Sequence, residues 1–118
     1  MSPLPYTPVV RAGAWVIVSG QVGLRDGALV PGGLRAEAEQ ALTNLATLLA
    51  SNGASLADVA KTTVFMTDMA DFAAMNEVYA SAFGGKFPAR SAVAVVALPM
   101  GACFEVEAWA YRPERSAG

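Results

Sequence analysis

The spacing of apolar residues predicts strands at the two ends of the chain and two helices between them. Residues 14–20 (AWVIVSG) fit a strand that pairs with residues 6–12 through a tight turn. Apolar residues then recur at helical spacing from Leu34 to Leu49, which predicts a long amphipathic helix. The polar face of that helix is predicted to hold Arg35, Glu37, Glu39, Gln40, Thr43, Asn44 and Thr47.

The second half of the chain shows the same strand-like and helix-like spacings of apolar residues. Residues 59–67 (VAKTTVFMT) predict a third strand, and residues 90–98 and 103–112 predict two closing strands joined by a turn. Between them a second helix is predicted, with a buried stripe of Phe72, Met75, Tyr79, Ala82 and Phe83. The order β-β-α-β-α-β-β predicts an α+β fold, one domain over residues 1–118, with both helices on one face of a mixed sheet.

Two of the predicted strands are apolar on both faces. Neither AWVIV (14–18) nor SAVAVVAL (91–98) carries a charged residue, and such strands are usually covered on both sides. Charged residues make up 15% of the sequence, against about 25% in an average soluble domain. Because two helices can cover only one face of the sheet, we expect copies of the same chain to cover the other.

The composition excludes several kinds of chemistry. The sequence has no histidine, so it cannot form a Ser-His-Asp or Cys-His centre or an imidazole zinc site. Its net charge is −2 and its eight basic residues are scattered, so nucleic-acid binding is not expected. Cys103 is the only cysteine, and the sequence shows neither a long apolar run nor a secretory signal. We therefore expect a cytoplasmic protein with no internal disulfide and no membrane span.

Charged residues on the two closing strands are the candidate chemistry. Arg90 begins an apolar strand, and its planar guanidinium could bind a carboxylate through two hydrogen bonds. Glu105, which alternates with apolar residues alongside Glu107, could orient or activate a water molecule. The same pattern also fits an edge arginine and an exposed strand face that both simply point into solvent.

Four segments in this order resemble the RidA (YjgF-type) family of reactive-intermediate deaminases. They are VSGQV (18–22), KTTVFMTDMADFAAMNEVYASAF (61–83), FPARS (87–91) followed by Leu-Pro, and FEVEAWA (104–110). The resemblance implies a chorismate-mutase-like α+β fold assembled as a homotrimer. In that assembly the sheets form a central barrel, the helices face outward, and three ligand clefts lie between subunits.

The implied activity is hydrolysis of 2-enamine and 2-imino acids, such as 2-aminoacrylate and 2-iminopropionate, to a 2-keto acid and ammonia. Arg90 would bind the substrate carboxylate and Glu105 would lie near the attacking water. The implied ligand-lining residues are Tyr6, Ser19, Gly20, Asn76 and Ala92. Many members have cysteine where this chain has Ala92, so a contact through the backbone amide is retained and a thiol role is lost. No metal and no cofactor is expected.

Other interpretations stay open at this stage. Considered alone, Tyr6 also fits a packing aromatic, Ser19 a hydroxyl bonded to backbone, and Asn76 a polar flank of the helix stripe. A trimer could use the same cleft to bind small carboxylates for regulation, with little turnover. Ribonuclease activity has also been attached to the family, but the acidic balance and the absence of histidine argue against it here.

Overall fold

A computed structural model describes residues 4–114 of the chain. Its strands and helices are, in order, β1 (Val9–Ala12), β2 (Trp15–Gln21), β3 (Leu24–Arg25), β4 (Ala28–Leu29), α1 (Gly33–Ala50), β5 (Val59–Met66), α2 (Phe72–Phe83), β6 (Ala89–Ala94) and β7 (Phe104–Tyr111). Short 3₁₀ turns occupy Leu56–Asp58, Met69–Asp71 and Pro99–Gly101. The predicted element order is confirmed, and a small β3–β4 hairpin lies in the segment between β2 and α1.

The main sheet has the order β1-β2-β7-β5-β6. The β5–β6 pair is parallel, because α2 returns the chain to the end of the sheet at which β5 began, whereas the other pairs are antiparallel. The prediction of two adjacent closing strands over 90–98 and 103–112 is wrong in pairing and in length. Strand β6 ends at Ala94, and β5 lies between β6 and β7.

The hydrophobic core lies between one face of this sheet and the two helices. Strand β7 contributes its alternate residues Phe104, Val106, Ala108 and Ala110, all with no exposed surface. Phe104 is the largest fully buried side chain among the described residues, and Leu45 and Leu49 of α1 are equally buried. The packing of both helices on one face confirms the predicted α+β architecture.

Glu37 departs from the predicted polar face of α1. Its side chain is 6% exposed, and its Oε1 accepts a hydrogen bond of 2.8 Å from the backbone N–H of Cys103. A carboxylate can be buried at this position because it receives that donor from the segment entering β7. Burial, together with the hydrogen bond and the negative charge of Glu37, raises the pKa of the half-buried Cys103 thiol to about 11. The thiol is therefore neutral at physiological pH.

The second face of the sheet, which we call the open face, is rich in aromatic side chains. Trp15, Trp109 and Tyr111 are 36%, 43% and 52% exposed, respectively. The Trp15 ring makes edge-to-face contacts with the other two, at centroid distances of 5.9 Å and 5.1 Å. Val93 of β6 is on the same face and is also exposed. Such a surface is typical of a protein–protein contact, and its coverage by other copies stays a prediction.

Candidate functional site

Arg90 lies on the edge strand β6 with its side chain on the helix-covered face of the sheet. Its Nη1 donates a hydrogen bond of 2.7 Å to Oδ1 of Asn76 on α2, and it lies 3.7 Å from the sulfur of Met75. Arginine carries five N–H donors, so this contact with Asn76 fixes one part of the guanidinium and leaves most donors for a ligand. The structure thus brings together two of the predicted site residues, Arg90 and Asn76.

Two aromatic rings of α2 lie close to the guanidinium of Arg90. The Cζ atom lies 4.9 Å from the ring centroid of Tyr79 and 5.6 Å from that of Phe72. Phe72, Asn76 and Tyr79 recur at helical spacing, so one side of α2 presents all of them to the arginine. These contacts are cation–π interactions, which attract the guanidinium to the ring faces and restrict its movement.

The Tyr79 hydroxyl is hydrogen-bonded to Thr62, which lies next to Arg90 on the neighbouring strand. Its oxygen lies 2.7 Å from Oγ1 of Thr62, and both side chains are buried. Burial raises the pKa of Tyr79, while the hydrogen bond with Thr62 and the charge of Arg90 oppose that rise. Tyr79 is therefore a neutral phenol at physiological pH. The sequence identified Tyr79 only as a core residue and gave Thr62 no role.

A cleft of about 420 Å³ opens beside Arg90. Its lining residues are Asn76, Tyr79, Ala80, Phe87, Pro88 and Arg90. The guanidinium is thus the positive group of a cleft whose other walls are mainly apolar. A ligand with a carboxylate and a short carbon chain matches this arrangement.

Glu105 occupies a different part of the chain's surface. It lies on β7 between the fully buried Phe104 and Val106, so its carboxylate is on the open face of the sheet. Burial, and to a smaller degree the like charge of Glu107, raises the pKa of Glu105. A carboxyl group with a raised pKa is a stronger base when it is ionised, which suits proton transfer.

Glycine at position 20 allows β2 to approach Glu105 closely. A Cβ atom built on Gly20 would lie 2.7 Å from Oε2 and 2.8 Å from Cδ of Glu105. The β2–β7 register shifts between Val18 and Gln21, which places this glycine in an irregularity of the strand. The structure thus brings Gly20 and Glu105 together, and their roles in ligand binding and catalysis stay predictions.

Ser19 connects this region to the N-terminal segment. Its hydroxyl donates to the carbonyl oxygen of Thr7 at 2.6 Å, and its N–H donates to the carbonyl oxygen of Pro8 at 2.9 Å. The adjacent Tyr6 is 59% exposed. Ser19 adjoins Gly20 in β2 and contacts Thr7, which follows Tyr6 in the chain. We call Tyr6, Ser19, Gly20 and Glu105 together the glutamate half-site.

Arg90, Asn76 and Ala92 form the second group, the arginine half-site. Ala92 is the next residue of β6 on the same face as Arg90, and it packs against the core. Within one chain the two half-sites lie on opposite faces of the sheet, and β5 separates their strands. The expectation that neighbouring strands carry Arg90 and Glu105 is therefore not met in the single chain.

Between residues 4 and 114, the side chains that could ligate a metal ion do not form a cluster. No group of three or more cysteine, aspartate or glutamate side chains in that range is arranged to hold a metal ion. No helix in the same range is both long and apolar enough to cross a bilayer.

Replacing Glu107 with glutamine is expected to lower the pKa of Glu105, because a like charge that opposes ionisation is removed. The fall in the pKa of Glu105 should be less than half of its total elevation, since burial is the larger cause of that elevation. The native state holds the Glu105 proton to a higher pH than the unfolded chain, so stability falls as pH rises between the two pKa values. Carboxyl NMR titration of both proteins measures the shift, and an unchanged or higher pKa in Glu107→Gln would contradict it.

The fold and these two groups define a class: small α+β proteins that carry an arginine-lined cleft at the edge of a sheet. Comparison with known sequences identifies the family. The family model described as Endoribonuclease L-PSP matches residues 2–112. The chain belongs to this family, the RidA (YjgF-type) family that its sequence motifs resemble.

Individual relatives agree with this assignment. The 2-iminobutanoate/2-iminopropanoate deaminase of Mus musculus is 47% identical over 106 residues, which cover 88% of this chain and 78% of the mouse protein. The crystal structure of RidA from an Antarctic Psychrobacter is 38% identical, with a TM-score of 0.88 and coverage of 94% and 91%. The structure of E. coli TdcF with bound serine is 36% identical, also with a TM-score of 0.88 and the same coverage.

Proposed function

We propose that this protein is an enzyme that hydrolyses reactive 2-enamine and 2-imino acids to 2-keto acids and ammonia. The observation that carries the proposal is Arg90, held by Asn76 and two aromatic rings at the wall of an otherwise apolar cleft. The mouse relative is named for this activity, and the TdcF structure contains serine, a small molecule with an α-carboxylate. The preferred substrates are short 2-imino acids of the 2-iminopropionate class.

The reaction needs positioning and proton transfer rather than a covalent nucleophile. Arg90 binds the carboxylate and so fixes the position of the adjacent imine carbon. A water molecule adds its oxygen to that carbon while Glu105 accepts one of its protons. With a protonated imine this addition gives a carbinolamine, and Glu105 returns its proton to the nitrogen. The C–N bond then breaks, ammonia leaves, and the hydroxyl gives up its proton to Glu105 as the C=O bond forms. Water supplies the oxygen of the keto acid, and no histidine or cofactor is required.

The proposed enzyme is a homotrimer in which two chains complete each cleft. The support is that Arg90 and Glu105 lie on opposite faces of one chain's sheet, so a single chain does not bring them together. Arg90 is on the edge strand β6, where a second copy can place its own open face and its Glu105. The aromatic residues of that open face supply the apolar area that a stable contact needs.

The test of the activity is a direct assay on freshly generated imines. An amino-acid oxidase produces 2-imino acids from short amino acids, and the protein is expected to speed the release of ammonia and keto acid. Gel filtration on the same sample should give the mass of three chains. A protein that binds 2-oxobutanoate in calorimetry but does not accelerate hydrolysis would instead be a carboxylate-binding protein.

Gly20→Ala should lower activity about 10- to 100-fold, because the proton-transfer group Glu105 is displaced but still present. The added methyl group would lie 2.7 Å from Glu105 Oε2, so the flexible end of the glutamate must move away. The measurements are kcat for a 2-imino acid and the melting temperature. Gly13→Ala is a control for destabilisation outside the site: a Cβ there meets no neighbour, but the φ of +60° is strained for alanine, so this variant should lower the melting temperature and leave kcat unchanged. Full activity in Gly20→Ala would place Glu105 outside the reaction.

The ribonuclease named in the family description is not the function we propose. The eight basic residues are scattered along a sequence with a net charge of −2, so the sequence offers no basic cluster for a phosphate backbone. The setting proposed for the enzyme is the cytoplasm, which agrees with a lone cysteine that is not in a disulfide.

A further inference from the structure

Thr62 and Tyr79 form a polar pair that lies next to Arg90. Thr62 on β5 is the Cα partner of Arg90 on β6, so the two residues lie side by side on the same face of the sheet. Tyr79 reaches across from α2, with its hydroxyl oxygen 2.7 Å from Thr62 Oγ1. The face of the same ring lies 4.9 Å from the Arg90 Cζ. The Tyr79 side chain therefore connects β5 to the guanidinium of Arg90.

Packing alone does not account for these two hydroxyl groups. Thr62 is fully buried and Tyr79 is 4% exposed, so each hydroxyl lies in the core and has the other as its partner. Removing two hydroxyls from water costs free energy that a valine and a phenylalanine of similar size would not incur. What the pair supplies is orientation. The hydrogen bond fixes the position of the hydroxyl end of the ring between α2 and β5. Rotation of the ring plane about the axis through that hydroxyl is limited by burial and by the Phe83 ring, whose centroid lies 4.6 Å away.

The orientation of that ring determines the tilt of the guanidinium. Asn76 accepts a hydrogen bond of 2.7 Å from Nη1, and this contact fixes the direction of the guanidinium within its own plane. The rings of Tyr79 and Phe72 restrict the tilt of the plane itself. Phe72 is 37% exposed and lacks a polar anchor, so Tyr79 is the more rigid support.

We propose that Thr62 and Tyr79 are positioning residues for Arg90, which hold its outward N–H groups in the orientation that binds a 2-imino or 2-keto carboxylate. The proposal rests on the proposed function for the identity of the ligand. In this proposal the two hydroxyl groups do not contact the reacting atoms of the ligand. Their loss should therefore change ligand affinity and KM rather than kcat.

The test compares wild type with Tyr79→Phe, Thr62→Val and the double variant. Calorimetry with 2-oxobutanoate gives Kd, the imine assay gives kcat and KM, and thermal melting gives stability. Each single variant should raise Kd and KM about 3- to 10-fold, the effect of one lost hydrogen bond, with kcat within about 2-fold. The double variant leaves no buried hydroxyl without its partner, so its stability should recover towards wild type while Kd stays high.

The result that overturns the proposal is recovery of affinity together with stability in the double variant, or unchanged Kd in all three. Thr47→Val is the matched control, because its hydroxyl lies on the exposed face of α1 and bonds only to the Thr43 carbonyl. An equal loss of affinity in that control would also overturn the proposal.

A second background tests whether Tyr79 acts through the arginine. Lysine lacks the planar group that stacks on a ring, so Tyr79→Phe should add little to the loss caused by Arg90→Lys. Fully additive losses would overturn the proposal. A wild type that binds 2-oxobutanoate without releasing ammonia would refute only the proposed function, since Kd still reports on positioning. Absence of both binding and turnover would refute both.

Discussion

Arg90→Ala should lower kcat/KM for a 2-imino acid about 100- to 10,000-fold. The wild-type guanidinium offers two charge-assisted hydrogen bonds to the carboxylate, each worth about 1.5–3 kcal/mol, and every 1.4 kcal/mol is a factor of ten. Removal also leaves Asn76 Oδ1 without the donor that it has in the wild type. The measurement is the kinetics of ammonia release, accompanied by calorimetry with 2-oxobutanoate.

Two controls separate the lost charge from the lost geometry. Arg90→Lys keeps the charge but not the planar fork, so its loss should be intermediate. Arg35→Ala removes an arginine of the exposed ion pair with Glu77, at 2.8 Å, and should behave as wild type. Wild-type kinetics in Arg90→Ala would remove the arginine from the mechanism and refute the proposed carboxylate site.

Glu105→Gln should lower kcat about 100- to 10,000-fold, the usual contribution of a general acid or base, with a smaller change in KM. Glutamine has nearly the same shape, so the fold and the contact with Gly20 should be retained. The wild-type rate should fall as pH decreases through the raised pKa of Glu105, because protonation removes the base. That acid limb should disappear from the profile of the variant's residual rate.

Glu39→Gln is the matched control for this substitution, since Glu39 is exposed on α1 and belongs to neither half-site. It should retain both the wild-type rate and the acid limb. An acid limb at the same pH in Glu105→Gln would show that another group is the base, even if the rate were reduced.

Local pattern was sufficient to predict most elements of the fold. The alternation in 59–67 and the helical stripe from Phe72 to Phe83 correspond to β5 and α2 within a residue or two. The neighbours of each strand were not predictable in this way, because pairing is decided by contacts between distant segments. The position of β5 between β6 and β7 is one such case, and the burial of Glu37 against the Cys103 amide is another.

The candidate site shows the same division between local and distant information. Arg90 and Glu105 were identifiable as charges in apolar strands, and the family motifs assigned their roles. Thr62 had a weaker signal that went unused: it is a polar residue on the same face of β5 as Val64 and Met66. A hydroxyl on a core face needs a partner, and a tyrosine on the packed helix is a natural one. The pairing itself required the structure.

The division of the site between opposite faces of the sheet has a genetic consequence. In the proposed trimer each cleft takes Arg90 from one chain and Glu105 from its neighbour. A cell with two alleles, one defective in each half-site, would assemble mixed trimers in which one junction unites the intact arginine with the intact glutamate. The two alleles would therefore complement each other, although either alone would abolish function. Two defects in the same half-site would not.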